Sequence, residues 1–133
     1  MSQTNWIMNG PGNVTANVTT AGADASATGT ATIKGLRGLL VRRTVNWHAS
    51  APAATSDITI VEVTDGGSFT IYSKTNSVTD IDSPTAVDAT STAGAALDPV
   101  ADGPIYLRGG VITITIAQSD ALTDCAIVEL GTV

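Results

Sequence analysis

The run Val111-Ile112-Thr113-Ile114-Thr115-Ile116 restricts the fold of this chain more than any other stretch. Successive side chains of a pleated strand point to opposite faces, so Ile112, Ile114 and Ile116 line one face and Val111, Thr113 and Thr115 the other. β-Branched residues suit a pleated, half-buried surface, and the period is two rather than 3.6. Cys125-Ala126-Ile127-Val128-Glu129-Leu130 repeats the alternation, with Ala126, Val128 and Leu130 on one side. The segment 118–124 between them is polar and too long for a two-residue turn. An antiparallel pair alone is marginal in water, so the rest of the chain must supply further strands.

Those strands are short and punctuated by breakers. Residues 13–20 and 28–33 are strand candidates built from Val, Thr and Ala, joined by a Gly/Ala/Asp loop. After a turn at 34–38, residues 39–47 alternate, with Leu39, Val41, Val45 and Trp47 on one face and Arg42, Thr44 and Asn46 on the other. Arg43 interrupts the apolar face, which is expected to open there to solvent or to a partner carboxylate. It is read either as an edge arginine or as half of an inter-subunit salt bridge. The strand 57–63 is apolar on both faces, so Val61 and Val63 belong to the centre of a sandwich or to an oligomer contact. Asp65-Gly66-Gly67 signals a tight turn, and 68–73 returns as its hairpin partner with Phe69 and Ile71 facing together.

Two segments stand apart. At the start, Trp6-Ile7-Met8 precedes the breakers Asn9-Gly10-Pro11-Gly12, so residues 1–12 read as an arm. It packs on its own domain or on a neighbouring subunit, and Trp and Met are enriched at interface centres. Residues 74–103 form a long polar excursion with room for at most a short strand or helical turn; such loops are functional or disordered. Residues 104–109 then lead into the final strand pair. Seven or eight short strands with frequent turns predict an all-β fold, a single antiparallel β-sandwich of jelly-roll or Greek-key type over residues 13–133.

Composition excludes several classes. The net charge is −6 with six basic residues, and Arg42-Arg43 is the one adjacent basic pair, so phosphate binding is not expected and no nucleic-acid partner is assigned. No window approaches a membrane span of about 20 apolar residues. No secretory signal is visible, which argues for synthesis and assembly in a cytoplasm and against glycosylation at the Asn-x-Thr patterns of Asn13 and Asn17. A single cysteine, Cys125, permits no internal disulfide and reads as a small buried hydrophobe.

Catalytic patterns are not legible. His48 is the one histidine, and neither Ser50 nor Ser56 sits in a nucleophile elbow, so His48 is expected to hydrogen-bond at a strand end. Two glutamates and ten aspartates offer no glycosidase pair. Asp80, Asp82, Asp88, Asp98 and Asp102 match no calcium-loop spacing and read as solvated loop carboxylates. The chain is read as a non-enzyme, with no metal, no cofactor and no small-molecule substrate.

Two stretches carry a family resemblance. His48-Ala49-Ser50-Ala51-Pro52-Ala53-Ala54-Thr55-Ser56 and the strand after it are similar to an alanine-proline-alanine-x-threonine segment of small virion proteins from tailed bacteriophages. The ending from Pro104 through Ile116 to Asp120 resembles the ending of the same proteins, in which an Ile/Val/Thr strand leads through a Ser-Asp loop to a last strand. The resemblance implies a capsid decoration (cement) protein. Such proteins commonly form homotrimers on the outside of the head, where they clamp neighbouring major capsid protein subunits, and the family supplies no catalytic residues. A tail, fibre or head–tail connector component and a carbohydrate- or receptor-binding sandwich are the alternatives. Under the first reading, Trp6, Ile7, Met8, Arg43, Val61 and Val63 are the candidate partner-binding residues.

Overall fold

A computed structural model of the chain describes residues 6–8, 12–50, 52–83 and 105–133. The described residues form ten strands and no helix: β1 (Trp6–Met8), β2 (Asn13–Val18), β3 (Ala27–Lys34), β4 (Arg37–Trp47), β5 (Asp57–Thr64), β6 (Gly67–Lys74), β7 (Ile81–Ser83), β8 (Tyr106–Arg108), β9 (Val111–Ser119) and β10 (Ala126–Thr132). Three of these, β1, β7 and β8, are three residues long, and the other seven are the strands that alternation predicts. The rest of the 74–103 excursion, from residue 84 on, lies outside the described residues.

The pairing follows one plan. β2 lies against β10, β3 against β9, β4 against β7 and β8, and β5 against β6, every pair antiparallel. The chain is thus a doubled ribbon closed at the hairpin 65–66. It is rolled so that β10 also pairs with β4, and β9 with β5. Successive ribbon pairs therefore fall in opposite sheets, the winding of a jelly roll. One sheet runs β1-β2-β10-β4-β7, with β8 also on β4, and the other runs β3-β9-β5-β6.

The core lies between the sheets. Ile112, Ile114 and Ile116 of β9 are fully buried, as are Ile58 and Ile60 of β5, and they meet Val14, Val18, Leu40, Val128 and Leu130 from the other sheet. Each such side chain contributes roughly 1.5–3 kcal/mol relative to leaving it in water. The outer face of the four-stranded sheet is rich in threonine: Thr30, Thr115 and Thr59 are aligned across three strands, and Thr32 and Thr113 align with Val61.

Two bulges interrupt the ladders, and the one in β4 corrects the expected facing of side chains. Gly131 pairs with Arg42 and Thr132 with Leu40, so Val41 is an extra residue in β4. An inserted residue shifts the alternation by one. Leu40 is therefore buried, while Leu39 and Val41 are only half-buried. Similarly, Ile60 pairs with Tyr72 and Val61 with Thr70, leaving Ile71 extra in β6. The shift falls between Ile71 and Tyr72, which are both buried; Phe69, paired with the inward Glu62, shares the face of Ile71 as alternation predicts but is 48% exposed at the end of the sandwich.

Arg43 is a second correction. It does not open a face to solvent, because it is 1% exposed and sits between the sheets. Its Nη1 donates to the carbonyl of Ile71 at 3.0 Å, and the guanidinium lies 5.3 Å from the centroid of the Tyr72 ring. A bulged residue leaves the ladder locally disrupted, and here a donor from the opposite sheet reaches its carbonyl. Burial pushes the Tyr72 phenol above its ordinary value of 10.0, and the Arg43 charge pulls it partly back.

Candidate functional site

The end of the sandwich that carries the 65–66 hairpin holds the most distinctive chemistry among the described residues. Its organising group is Glu62. Alternation along β5 turns Ile58, Ile60 and Glu62 inward, so a carboxylate occupies a core position and is 3% exposed. Burying a charge is costly without compensating hydrogen bonds. Here the backbone of the turn from β8 to β9 supplies them: Arg108 N–H donates to the two carboxylate oxygens at 2.9 and 3.2 Å, and Gly110 N–H donates to one at 3.2 Å.

Glycine is required at this turn. A Cβ on Gly110 would meet the Val63 carbonyl oxygen at 2.3 Å, and Gly109 adopts φ +78°, in the left-handed region. Glu62 thereby ties β8, which belongs to the six-stranded sheet, to β5 of the other sheet.

Beside this tie runs a groove of about 390 Å³ whose lining includes Glu62, Ser68, Phe69, Ile105, Tyr106 and Arg108. Phe69 is 48% exposed and Tyr106 65%, large values for aromatic side chains. A second cleft on the other side of the hairpin shares Arg108 and adds Lys34, Asp65, Val63 and Val111. Val63 and Val111 are register partners on the outer face, and both are exposed. Apolar surface therefore wraps around the hairpin tip on both sides.

The partner-binding candidates from the sequence fall in three places. Val61 and Val63 share the outer face of β5, half-buried and exposed respectively, and Val63 borders this site. Arg43 lies in the core, away from any accessible surface. Trp6, Ile7 and Met8 form β1, whose backbone pairs with Ala16, Thr15 and Val14 of β2 at the edge of the six-stranded sheet. The arm thus pairs with its own domain there. No sequence pattern joins Glu62, Phe69, Tyr106 and Arg108 into a group. Their one legible sign is a glutamate at an inward position of an otherwise apolar strand.

Another set of polar groups serves the opposite end. His48 Nδ1 accepts a hydrogen bond from Ser50 N–H at 3.0 Å, the strand-end role expected of it. Cys125 is fully buried, with its Sγ 3.4 Å from Ser119 Oγ, which lies 2.8 Å from Ser56 Oγ. Asp80 and Asp120 accept from the backbone N–H groups of Trp47 and Ala25, so these carboxylates fasten loops. Among the described residues no three His, Cys, Asp or Glu side chains gather where they could hold a metal ion. Asp88, Asp98 and Asp102 lie outside the described residues.

Comparison with protein-family models, with curated proteins and with solved structures found no match.

Proposed function

We propose that the chain is a structural virion protein of the capsid decoration type, a rigid jelly roll that docks on the outside of a phage head and bridges major capsid protein subunits. The observation that carries this reading is the apolar surface around the hairpin tip, where Val63, Phe69, Tyr106 and Val111 are all exposed. Clustered exposed apolar residues mark interaction surfaces. The uncharged threonine face beside them is suited to broad, shallow contact. In a particle each modest contact is repeated many times, so avidity compensates for a small individual interface.

On this reading the chain is not an enzyme, forms homotrimers, and reaches the head surface after assembly in the host cytoplasm. Its partners are its own copies and the capsid subunit, with no nucleic acid, membrane or cofactor involved. Light scattering at several protein concentrations is expected to give a mass of three times 13.4 kDa. Particles lacking the chain are expected to take it up from solution to saturation, and particles that take up none would refute the proposal. A second reading is favoured by one observation: Phe69 and Tyr106 lie exposed in a common groove, as in sandwiches that bind sugars. Oligosaccharide binding without particle binding would select it.

A further inference from the structure

We propose that β7 and β8 are two halves of one edge strand, and that residues 84–104 are an insertion which the fold accepts between them but does not need. This does not rest on the docking role above. Both halves run antiparallel to β4: Ile81, Asp82 and Ser83 pair with Val45, Thr44 and Arg43, and Tyr106, Leu107 and Arg108 with Leu39, Gly38 and Arg37. They also lie along the same edge. The Leu39 carbonyl accepts from Val133 N–H on the β10 side, at 3.0 Å. A residue's carbonyl and the next residue's N–H point to opposite edges of a strand. Leu40 N–H therefore points away from β10, and there it donates to the Ile105 carbonyl at 2.8 Å. β7 shares that edge, because β10 occupies the other side of Val45, Thr44 and Arg43.

The register fixes the width of the break. Leu40 and Arg43 are both buried although three positions apart, because Val41 is bulged. β10 spans this stretch with Leu130 on Arg43, Gly131 on Arg42 and Thr132 on Leu40, so one residue separates the two partners. On the other edge Ser83 is on Arg43, and Ile105 is opposite Leu40. The same count leaves room for one residue, about 7 Å of strand, where the chain has twenty-one. Three residues make few ladder hydrogen bonds, and each half has a carboxylate at its outer end. Asp80, just before β7, accepts from Trp47 N–H at 2.7 Å, and Glu62 accepts from Arg108 N–H at the end of β8 at 2.9 Å. The halves are thus fastened independently of the chain that joins them. The entropy of closing a loop grows slowly with its length, so an insertion of this size is tolerated without contributing to the fold.

The test replaces residues 84–104 in the full chain by a single threonine, a residue that suits a strand. Two companions separate phase from mere shortening: a Thr-Thr link, and a Gly/Ser link of the original length. The single-threonine variant is expected to unfold in urea at or above the wild-type midpoint, with exchange of the ladder-facing amides in β7 and β8 slowed at least tenfold. The Thr-Thr link adds a residue with no partner opposite it, and should lower the midpoint relative to the single threonine. The Gly/Ser variant should keep the wild-type midpoint. A single-threonine variant that unfolds earlier than the Gly/Ser variant would show that the two ends do not meet as one strand. A Thr-Thr link at least as stable as the single threonine would contradict the phase. Failure of the Gly/Ser variant to fold would make residues 84–104 part of the fold and overturn the insertion.

Discussion

Replacing Glu62 by alanine tests whether one carboxylate holds the two sheets together at the hairpin end. The substitution removes the acceptor for Arg108 N–H and Gly110 N–H. A hydrogen bond to a charged group contributes roughly 1.5–3 kcal/mol net, so two set an upper bound near 6 kcal/mol. Glu62 also borders an open groove, and water entering there can replace part of what is lost. The expected destabilisation of Glu62→Ala is therefore about 2–4 kcal/mol. Glu62→Gln keeps one oxygen acceptor but no charge, and should fall between the variant and the wild type. The control is Glu129→Ala, whose carboxylate is 3.6 Å from Arg42 Nε on the partly exposed outer face and should cost less than about 1 kcal/mol. Urea unfolding at neutral pH reads all three, with an unchanged slope confirming that the same surface is exposed. If Glu62→Ala unfolds within about 0.5 kcal/mol of wild type, as ordinary surface substitutions do, the carboxylate does not tie β8 to β5.

Three further outcomes are expected. Ile114→Ala, at a fully buried core position, should cost about 2–5 kcal/mol by urea unfolding, whereas its outward neighbour Thr115→Ala should cost far less; equal losses would contradict the facing of β9. Because the Tyr72 phenol ionises less readily when folded, the unfolded chain loses its proton first, and stability should fall as pH rises above about 10. Tyr72→Phe should abolish that part of the alkaline slope, and an unchanged slope would show that burial does not perturb the phenol. Deleting residues 1–9 removes β1 and should leave the jelly roll folded by circular dichroism while weakening particle binding; a truncated chain that fails to fold, or binds normally, would refute the arm's role.

The fold was legible where alternation is uninterrupted. Ile112, Ile114 and Ile116 announce β9, and Ala126, Val128 and Leu130 announce β10; the structure buries all six. The phase failed at Val41, because a bulge inserts a residue without changing the composition that marks a strand. Arg43 read as the opening of a face because a charge in an apolar row usually meets water, yet the opposite sheet supplies Ile71 O and the Tyr72 ring. The groove was less legible still. Glu62 finds its donors 46 and 48 residues away on the main chain, where no side-chain pattern records them. Phe69 and Tyr106 belong to strands of different sheets, and only the rolling of the ribbon brings them together.

The decoration role is tested most directly by counting copies of the chain in purified particles, using quantitative mass spectrometry calibrated against the major capsid protein. A decoration protein is expected at hundreds of copies per particle, in a fixed ratio to the capsid subunit. A handful of copies would place it in a tail or connector, and none would remove it from the virion altogether.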